Sequence, residues 1–270
     1  MTHIAVTGGA GFIGTNLCLK LLDLGHKVYC IDNLKTSYKE NIKELIDRPN
    51  FELIEQSIEQ PLPQSLPVSK IYHLACPASP PRYQQDPLET LRTCFVGTYN
   101  VLDFAQKVSA EVLFTSTSEI YGDPRQHPQK ESYFGNVNTV GPRSCYDEGK
   151  RVAETVCYEF HKAHKVPTKI VRIFNTYGPR MDPNDGRVVS NFIMQALRGK
   201  SLTVYGSGKQ TRSLCYVDDM VSGLIAAMEL RDTSPIPINL GNPQELSVLD
   251  LAKMIEKITG SSLTFSNLEL

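Results

Sequence analysis

Thr7-Gly8-Gly9-Ala10-Gly11-Phe12-Ile13-Gly14 decides how this chain folds, because the hydrophobic period changes across it. Before it, His3 to Thr7 is a short apolar strand. After it, Phe12, Ile13, Leu17, Leu21 and Leu24 recur at the three-to-four spacing of a helix running from Gly11 to Leu24. Gly8, Gly11 and Gly14 are spaced by threes between the two. Glycines there let the backbone turn tightly and let a pyrophosphate approach. The helix N-terminus behind them offers unpaired N–H groups and a partial positive charge. A second strand, Lys27 to Ile31, ends at Asp32, where a carboxylate accepts hydrogen bonds from an adenosine ribose and repels a 2′-phosphate. Strand, glycine turn, helix and acid together form the context a dinucleotide site needs, and the acid selects NAD over NADP.

Working outward, strand and helix periods keep alternating. Phe51 to Ile54, Lys70 to Ala75 and Glu111 to Thr115 read as buried strands, and Leu88 to Val108 reads as one long helix. Such alternation builds βαβ units, so the fold class is α/β, a Rossmann-type doubly wound parallel sheet. After about residue 175 Pro and Gly cluster, as in Pro183-Asn184-Asp185-Gly186 and Tyr205-Gly206-Ser207-Gly208. Shorter helices are expected near Val188 to Leu197, Val217 to Glu229 and Val248 to Ile258. The division expected is a dinucleotide-binding domain over 1–175 and a smaller C-terminal substrate lobe over 176–270.

Composition narrows the function. In 270 residues, 28 Lys plus Arg against 29 Asp plus Glu leave a net charge of −1, so no global field draws the chain to nucleic acid or anionic membrane. No apolar run approaches the roughly 18 residues of a membrane span. The start reads as a strand and not as a charged, then apolar leader. Seven cysteines, an odd number without a Cys-x-x-Cys pair, argue against a disulfide framework or a zinc site, so no metal is expected. The expectation is a cytoplasmic chain acting on a small molecule. Gly208-Lys209 is not a phosphate loop of the Walker type, since Gln210 follows and Thr203 stands at the upstream glycine position.

Two stretches carry chemistry. Tyr146 and Lys150, in Ser144-Cys145-Tyr146-Asp147-Glu148-Gly149-Lys150, lie four apart and share a helix face. An ammonium beside a phenol favours the phenolate and makes the tyrosine a usable general base. Thr115-Ser116-Thr117-Ser118-Glu119-Ile120-Tyr121-Gly122 closes a strand at its C-terminal end, where ligands sit in an open parallel sheet.

These segments, with His73-Leu74-Ala75-Cys76-Pro77-Ala78-Ser79-Pro80, Gly141-Pro142-Arg143 before the Tyr–Lys pair, Arg172-Ile173-Phe174-Asn175-Thr176-Tyr177-Gly178-Pro179-Arg180-Met181, Asp185-Gly186-Arg187-Val188-Val189-Ser190-Asn191-Phe192 and Tyr205-Gly206-Ser207-Gly208-Lys209-Gln210-Thr211-Arg212, resemble the extended short-chain dehydrogenase/reductase family. Within it the chain is most similar to the UDP-glucuronate decarboxylases. The resemblance implies NAD-dependent conversion of UDP-glucuronate to UDP-xylose through a 4-keto sugar. It puts Thr117, Glu119, Tyr146, Lys150 and Arg212 at the chemistry. Gly8, Gly11, Phe12, Ile13, Gly14, Asp32, Asn33, Leu74 and Thr176, with Tyr146 and Lys150, would hold NAD. Asn175, Arg187, Val188, Asn191, Tyr205 and Arg212 would hold the UDP-sugar. Dehydratases of the family place an Asp-Glu pair after the threonine, where this chain has Ser118. A homodimer through the long helices near Leu88 to Val108 and Tyr146 to His164 is also implied. Two departures bear on adenosine binding: Ser37-Tyr38 replaces a usual Gly-Arg, and Ser57 a usual Asp. Relatives run on past the position of Leu270, so the lobe is expected to be incomplete there. Another nucleotide-sugar reaction of the family, or a non-catalytic dinucleotide-binding protein, are the alternatives.

Overall fold

The computed structural model describes residues 1–266; the tail at which the lobe was expected to break off, 267–270, lies outside the described residues. The first half builds β1 (His3–Thr7), α1 (Phe12–Asp23), β2 (Lys27–Asp32), α2 (Lys39–Ile46), β3 (Phe51–Glu55) and β4 (Lys70–His73). It continues with α3 (Pro80–Gln85), α4 (Pro87–Arg92), α5 (Thr98–Val108), β5 (Glu111–Thr117), α6 (Ser144–His164) and β6 (Thr168–Ile173). The second half adds β7 (Thr176–Tyr177), α7 (Val188–Leu197), β8 (Leu202–Tyr205), β9 (Thr211–Ser213), β10 (Cys215–Tyr216) and α8 (Val217–Met228). It ends with β11 (Ile238–Leu240), β12 (Glu245–Ser247), α9 (Val248–Thr259) and β13 (Leu263–Ser266).

Seven parallel strands form the main sheet in the order β11-β6-β5-β4-β1-β2-β3. Alternate side chains of each strand feed opposite layers. Ile4 and Val6 meet Leu17 and Leu21 of α1 and Met220 and Leu224 of α8, while Ala5 and Ile31 face Val101 and Leu102 of α5 and Cys157 of α6. Both faces are covered, which is why the strands read as nearly unbroken apolar runs. The order reverses between β1 and β4, and this is the switch point that opens a crevice beyond the strand ends.

Three differences from the sequence reading have physical causes. The first is that Thr168–Ile173 is a central strand the apolar pattern does not announce, because Lys169 and Arg172 interrupt it. Both charges are buried and paired, Lys169 with Glu111 and the Met228 carbonyl, Arg172 with Glu154 at 2.8 Å. The second concerns the expected helix from Leu88 to Val108. It starts at Pro87, behind an Asp86 cap on the Glu89 N–H, and is widened by a π turn over Thr93–Gly97. The third concerns the course of the chain after residue 175. The chain returns to the sheet after the first lobe segment, α8 packing on α1 and β11 pairing with β6. The lobe proper has its own small core of Phe192, Leu202, Val204, Val248 and Ala252, closed by β8 pairing with β13.

Candidate active site

The glycine turn opens the site. Gly8 has φ +71°, and a Cβ there would lie 2.8 Å from the Ala75 backbone; at Gly14 it would meet the Gly8 carbonyl oxygen at 2.1 Å. Only glycine lets the two segments touch. Gly11 precedes α1 with no side chain to cap it, so the first N–H groups of α1 are left facing the crevice. Asp32 is buried at the end of β2. Its carboxylate accepts from the Ala10 N–H at 3.0 Å, the Leu34 N–H at 2.9 Å and the Ser37 hydroxyl at 2.8 Å. The serine that departs from the family pattern thus steadies the acid. Asn33 is exposed and its Oδ1 accepts from the Lys35 N–H.

Beside the turn, His73 at the end of β4 is bonded at both ring nitrogens, to Thr7 at 2.8 Å and to Thr98 at 3.0 Å. Burial, with the Lys150 charge, pushes it down to about 3, so it stays neutral and structural. It anchors the loop that carries Leu74, Ala75 and Cys76 along the crevice wall.

Opposite lie the catalytic candidates. Thr117 ends β5, and its hydroxyl accepts from the Glu119 N–H at 3.2 Å and lies beside the Tyr146 phenol. Tyr146 and Lys150 project from the first turns of α6, both buried. Tyr83 stacks on the Tyr146 ring, 5.0 Å between centroids. Lys150 Nζ donates to the Thr115 carbonyl at 2.9 Å. The lowering of the phenol expected from the four-residue spacing is not what the polypeptide alone achieves. Burial pushes Tyr146 up, Cys76 adds to the rise, and Thr117 pulls the other way. A positive charge beside the ring, such as oxidised NAD carries, acts in the lowering direction.

Arg143 is the residue that sequence reasoning passed over. It stands before α6 and pairs with Glu119, and it lies 3.8 Å from Asp147. Arg143 closes the Gly141-Pro142-Arg143 stretch, but its partner is 24 positions away and no local spacing signals the pair. Arg187 likewise forms a two-pronged pair with buried Asp185, at 2.5 and 2.7 Å. Arg212, on β9, is exposed and donates to the Thr211 carbonyl.

One cavity of about 1500 Å³ is lined by Gly8, Gly11, Phe12, Ile13, Gly14, Asp32, Asn33, Leu74, Thr117, Glu119, Tyr146, Lys150, Asn175, Thr176, Arg187 and Arg212. Val188, Asn191 and Tyr205 do not reach it. They line an adjoining hollow of about 210 Å³ that shares Asn175, Thr176, Arg187 and Arg212 with the first. The glycine cradle, the exposed α1 terminus and the buried Asp32 carboxylate fit a dinucleotide with a free ribose 2′-hydroxyl.

Comparison with known proteins agrees with this geometry. Residues 4–241 match the NAD dependent epimerase/dehydratase family model. UDP-glucuronic acid decarboxylase 3 of Arabidopsis thaliana is 53% identical over 268 residues, covering 99% of this chain and 77% of that protein. UDP-glucuronic acid decarboxylase 1 of Xenopus tropicalis is 54% identical over 259 residues, but the chain spans only 61% of its length. Among solved structures, UDP-glucuronic acid 4-epimerase from Bacillus cereus, with UDP-glucuronic acid and NAD bound, superposes with a TM-score of 0.87 at 31% identity, over 99% of this chain and 86% of that one. The chain belongs to the NAD dependent epimerase/dehydratase family, built as an extended short-chain dehydrogenase/reductase with NAD as its cofactor.

Proposed function

We propose that this chain decarboxylates UDP-glucuronate to UDP-xylose with tightly held NAD. The observation that carries the reading is the 53% identity, along nearly the whole chain, to a protein named as a decarboxylase, against 31% to the 4-epimerase of similar shape. Gly8, Gly11 and Gly14 would admit the pyrophosphate, Phe12, Ile13, Leu74 and Thr176 would line its path, and Asp32 with Asn33 would take the ribose. Bound NAD supplies a two-electron store that accepts hydride from the sugar C4 and later gives it back.

The chain's own groups do the proton work. Tyr146 takes the proton of the 4-hydroxyl, with Lys150 supplying positive charge one turn away. Thr117 donates to the developing C4 oxygen, a contact of a kind worth about 3 kcal/mol. A C4 ketone is β to the C6 carboxylate, so carbon dioxide leaves with its electron pair delocalised onto the ketone oxygen. Glu119, held by Arg143, orients the water that protonates C5. Arg187 and Arg212 meet the charged groups of the substrate through charge-assisted hydrogen bonds, beside Asn175, Val188, Asn191 and Tyr205. Ser118 has no acid with which to expel a 6-hydroxyl, which disfavours dehydration.

The assay is incubation with NAD and UDP-glucuronate, followed by separation of the products. UDP-xylose and carbon dioxide without net NADH are expected. UDP-galacturonate as the sole product would replace this reading with 4-epimerisation.

The assembly proposed is a homodimer through α4, α5 and α6. Leu88, Phe95 and Tyr99 are 68%, 47% and 50% exposed and follow one another at helical spacing, with Val152 and Tyr158 exposed on α6. The described cysteines are all free, which supports a reducing compartment such as the cytoplasm. Among the described residues no helix is long and apolar enough to cross a membrane.

A further inference from the structure

Two thiols that the reaction does not use lie side by side in the wall of the site. Cys76, in the loop after β4, is half-buried and lines the large cavity. Cys94 is 2% exposed and sits in the π turn between α4 and α5. Their sulfurs are 3.3 Å apart. A covalent bond needs about 2.0 Å, an approach of little more than 1 Å. The backbone on both sides is of a kind that yields, an irregular loop at Cys76 and a widened helical turn at Cys94.

A second neighbouring pair shows what is particular here. Cys18 and Cys30 also approach each other, both bracketing the Cβ position of Gly9, but each is fully buried and burial pushes the Cys18 thiol well up. Such sulfurs are inert. Cys76 has access to the cavity, and its thiol is pulled down, first by the hydrogen bond from Cys94 and further by the Lys150 charge.

We propose that Cys76 and Cys94 are a peroxide-sensitive dithiol whose closure to a disulfide shuts the site. The Cys76 thiolate attacks one peroxide oxygen and expels hydroxide, leaving a sulfenic acid. The Cys94 thiol then displaces water from that sulfur. Overall two thiols and one hydrogen peroxide give one disulfide and two waters, the sulfurs losing the two electrons that the peroxide gains.

The consequence follows from what each sulfur touches. Cys76 is next to the Leu74-Ala75 wall that Gly8 packs against, so drawing it toward Cys94 moves that wall. Cys94 lies over Gly149, where an added Cβ would already meet its sulfur at 3.0 Å, and Gly149 stands between Tyr146 and Lys150 on α6. Closing the bond therefore presses on both sides of the reacting centre. Its inhibitory half rests on the reaction proposed above; its bond-forming half does not.

Purified wild type and the Cys94→Ala variant, with Cys94→Ser as a second in case the first folds poorly, are treated with hydrogen peroxide at neutral pH. Each is then alkylated, weighed intact and digested. Wild type should lose two hydrogens and yield one cross-linked peptide pair joining Cys76 to Cys94, and neither variant should. The oxidised wild type should bind NAD at least about fivefold more weakly, turn over correspondingly slowly, and recover with dithiothreitol, whereas the variants keep their basal binding. Alkylation of both thiols after peroxide overturns the proposal, as does equal, thiol-reversible inhibition of the variants. Because cross-linking and NAD binding are read without turnover, a failure of the decarboxylase reading leaves a distinct signature: cross-link present, no UDP-xylose in any state.

Discussion

Asp32 is the side chain proposed to set cofactor choice. Its carboxylate is oriented by two N–H groups and the Ser37 hydroxyl before any ligand arrives, so a ribose meets a preset acceptor and a 2′-phosphate meets a fixed negative charge. NAD should bind at least about tenfold more tightly than NADP, roughly 1.4 kcal/mol. Calorimetry showing equal affinities would remove Asp32 from that role. Tyr146 is the second residue, proposed as the general base. Tyr146→Phe keeps the ring that stacks on Tyr83 and deletes only the hydroxyl. NAD affinity should therefore stay within about twofold while turnover disappears, a loss confined to the transition state. An active Phe variant would assign the proton to another group.

At the scale of the element, the first turn of α6 concentrates ionisable groups that oppose one another. Burial lifts the Asp147 carboxyl to about 6 against the pull of Arg143, and its Oδ1 has no partner. Between about pH 4 and 6 the folded chain holds a proton the unfolded chain has released, so stability falls as pH rises through that window. Asp147→Asn should add about 2 kcal/mol near pH 7.5 and almost nothing near pH 4. Urea unfolding at the two pH values measures it, and a gain independent of pH would point to packing instead. His73 has the opposite sign. Its depressed pKa of about 3 means that stability present above about pH 6.5 is lost as pH falls. The Asp147→Asn chain should therefore show a steeper acid loss than wild type.

Across the whole molecule, the segment after β7 is tied over the cofactor crevice to the dinucleotide half. Arg82 of α3 bonds Asp182 at 3.1 Å and the Tyr38 hydroxyl at 2.6 Å, and Arg180 pairs with Glu44 and with the Asn16 side chain. Along α4 and α5 runs a row of exposed apolar residues. A charge in the middle of that row, Phe95→Glu, should shift the proposed dimer to monomer in sedimentation while leaving NAD binding in place. A wild type that sediments as a monomer at micromolar concentration would dispose of the dimer.

The sequence alone determined the parts of this protein whose signals are local. A glycine triplet between a strand period and a helix period specifies a βαβ turn, because no other residue permits that backbone contact. Alternating periods specify the parallel sheet, and a four-residue spacing puts Tyr146 and Lys150 on one face. What only tertiary structure decided depends on partners distant in the chain. Thr168–Ile173 becomes a central strand because Glu111, Met228 and Glu154 neutralise its two buried charges. α8 is amphipathic in any context, and only its docking on α1 shows which core it belongs to. Arg143 meets Glu119, and Cys76 meets Cys94, only when separate segments fold onto the end of the sheet. The Tyr146 phenol follows the same rule: spacing brings the ammonium near, but burial, a property of the packed molecule and not of any stretch of sequence, sets the direction in which its pKa moves.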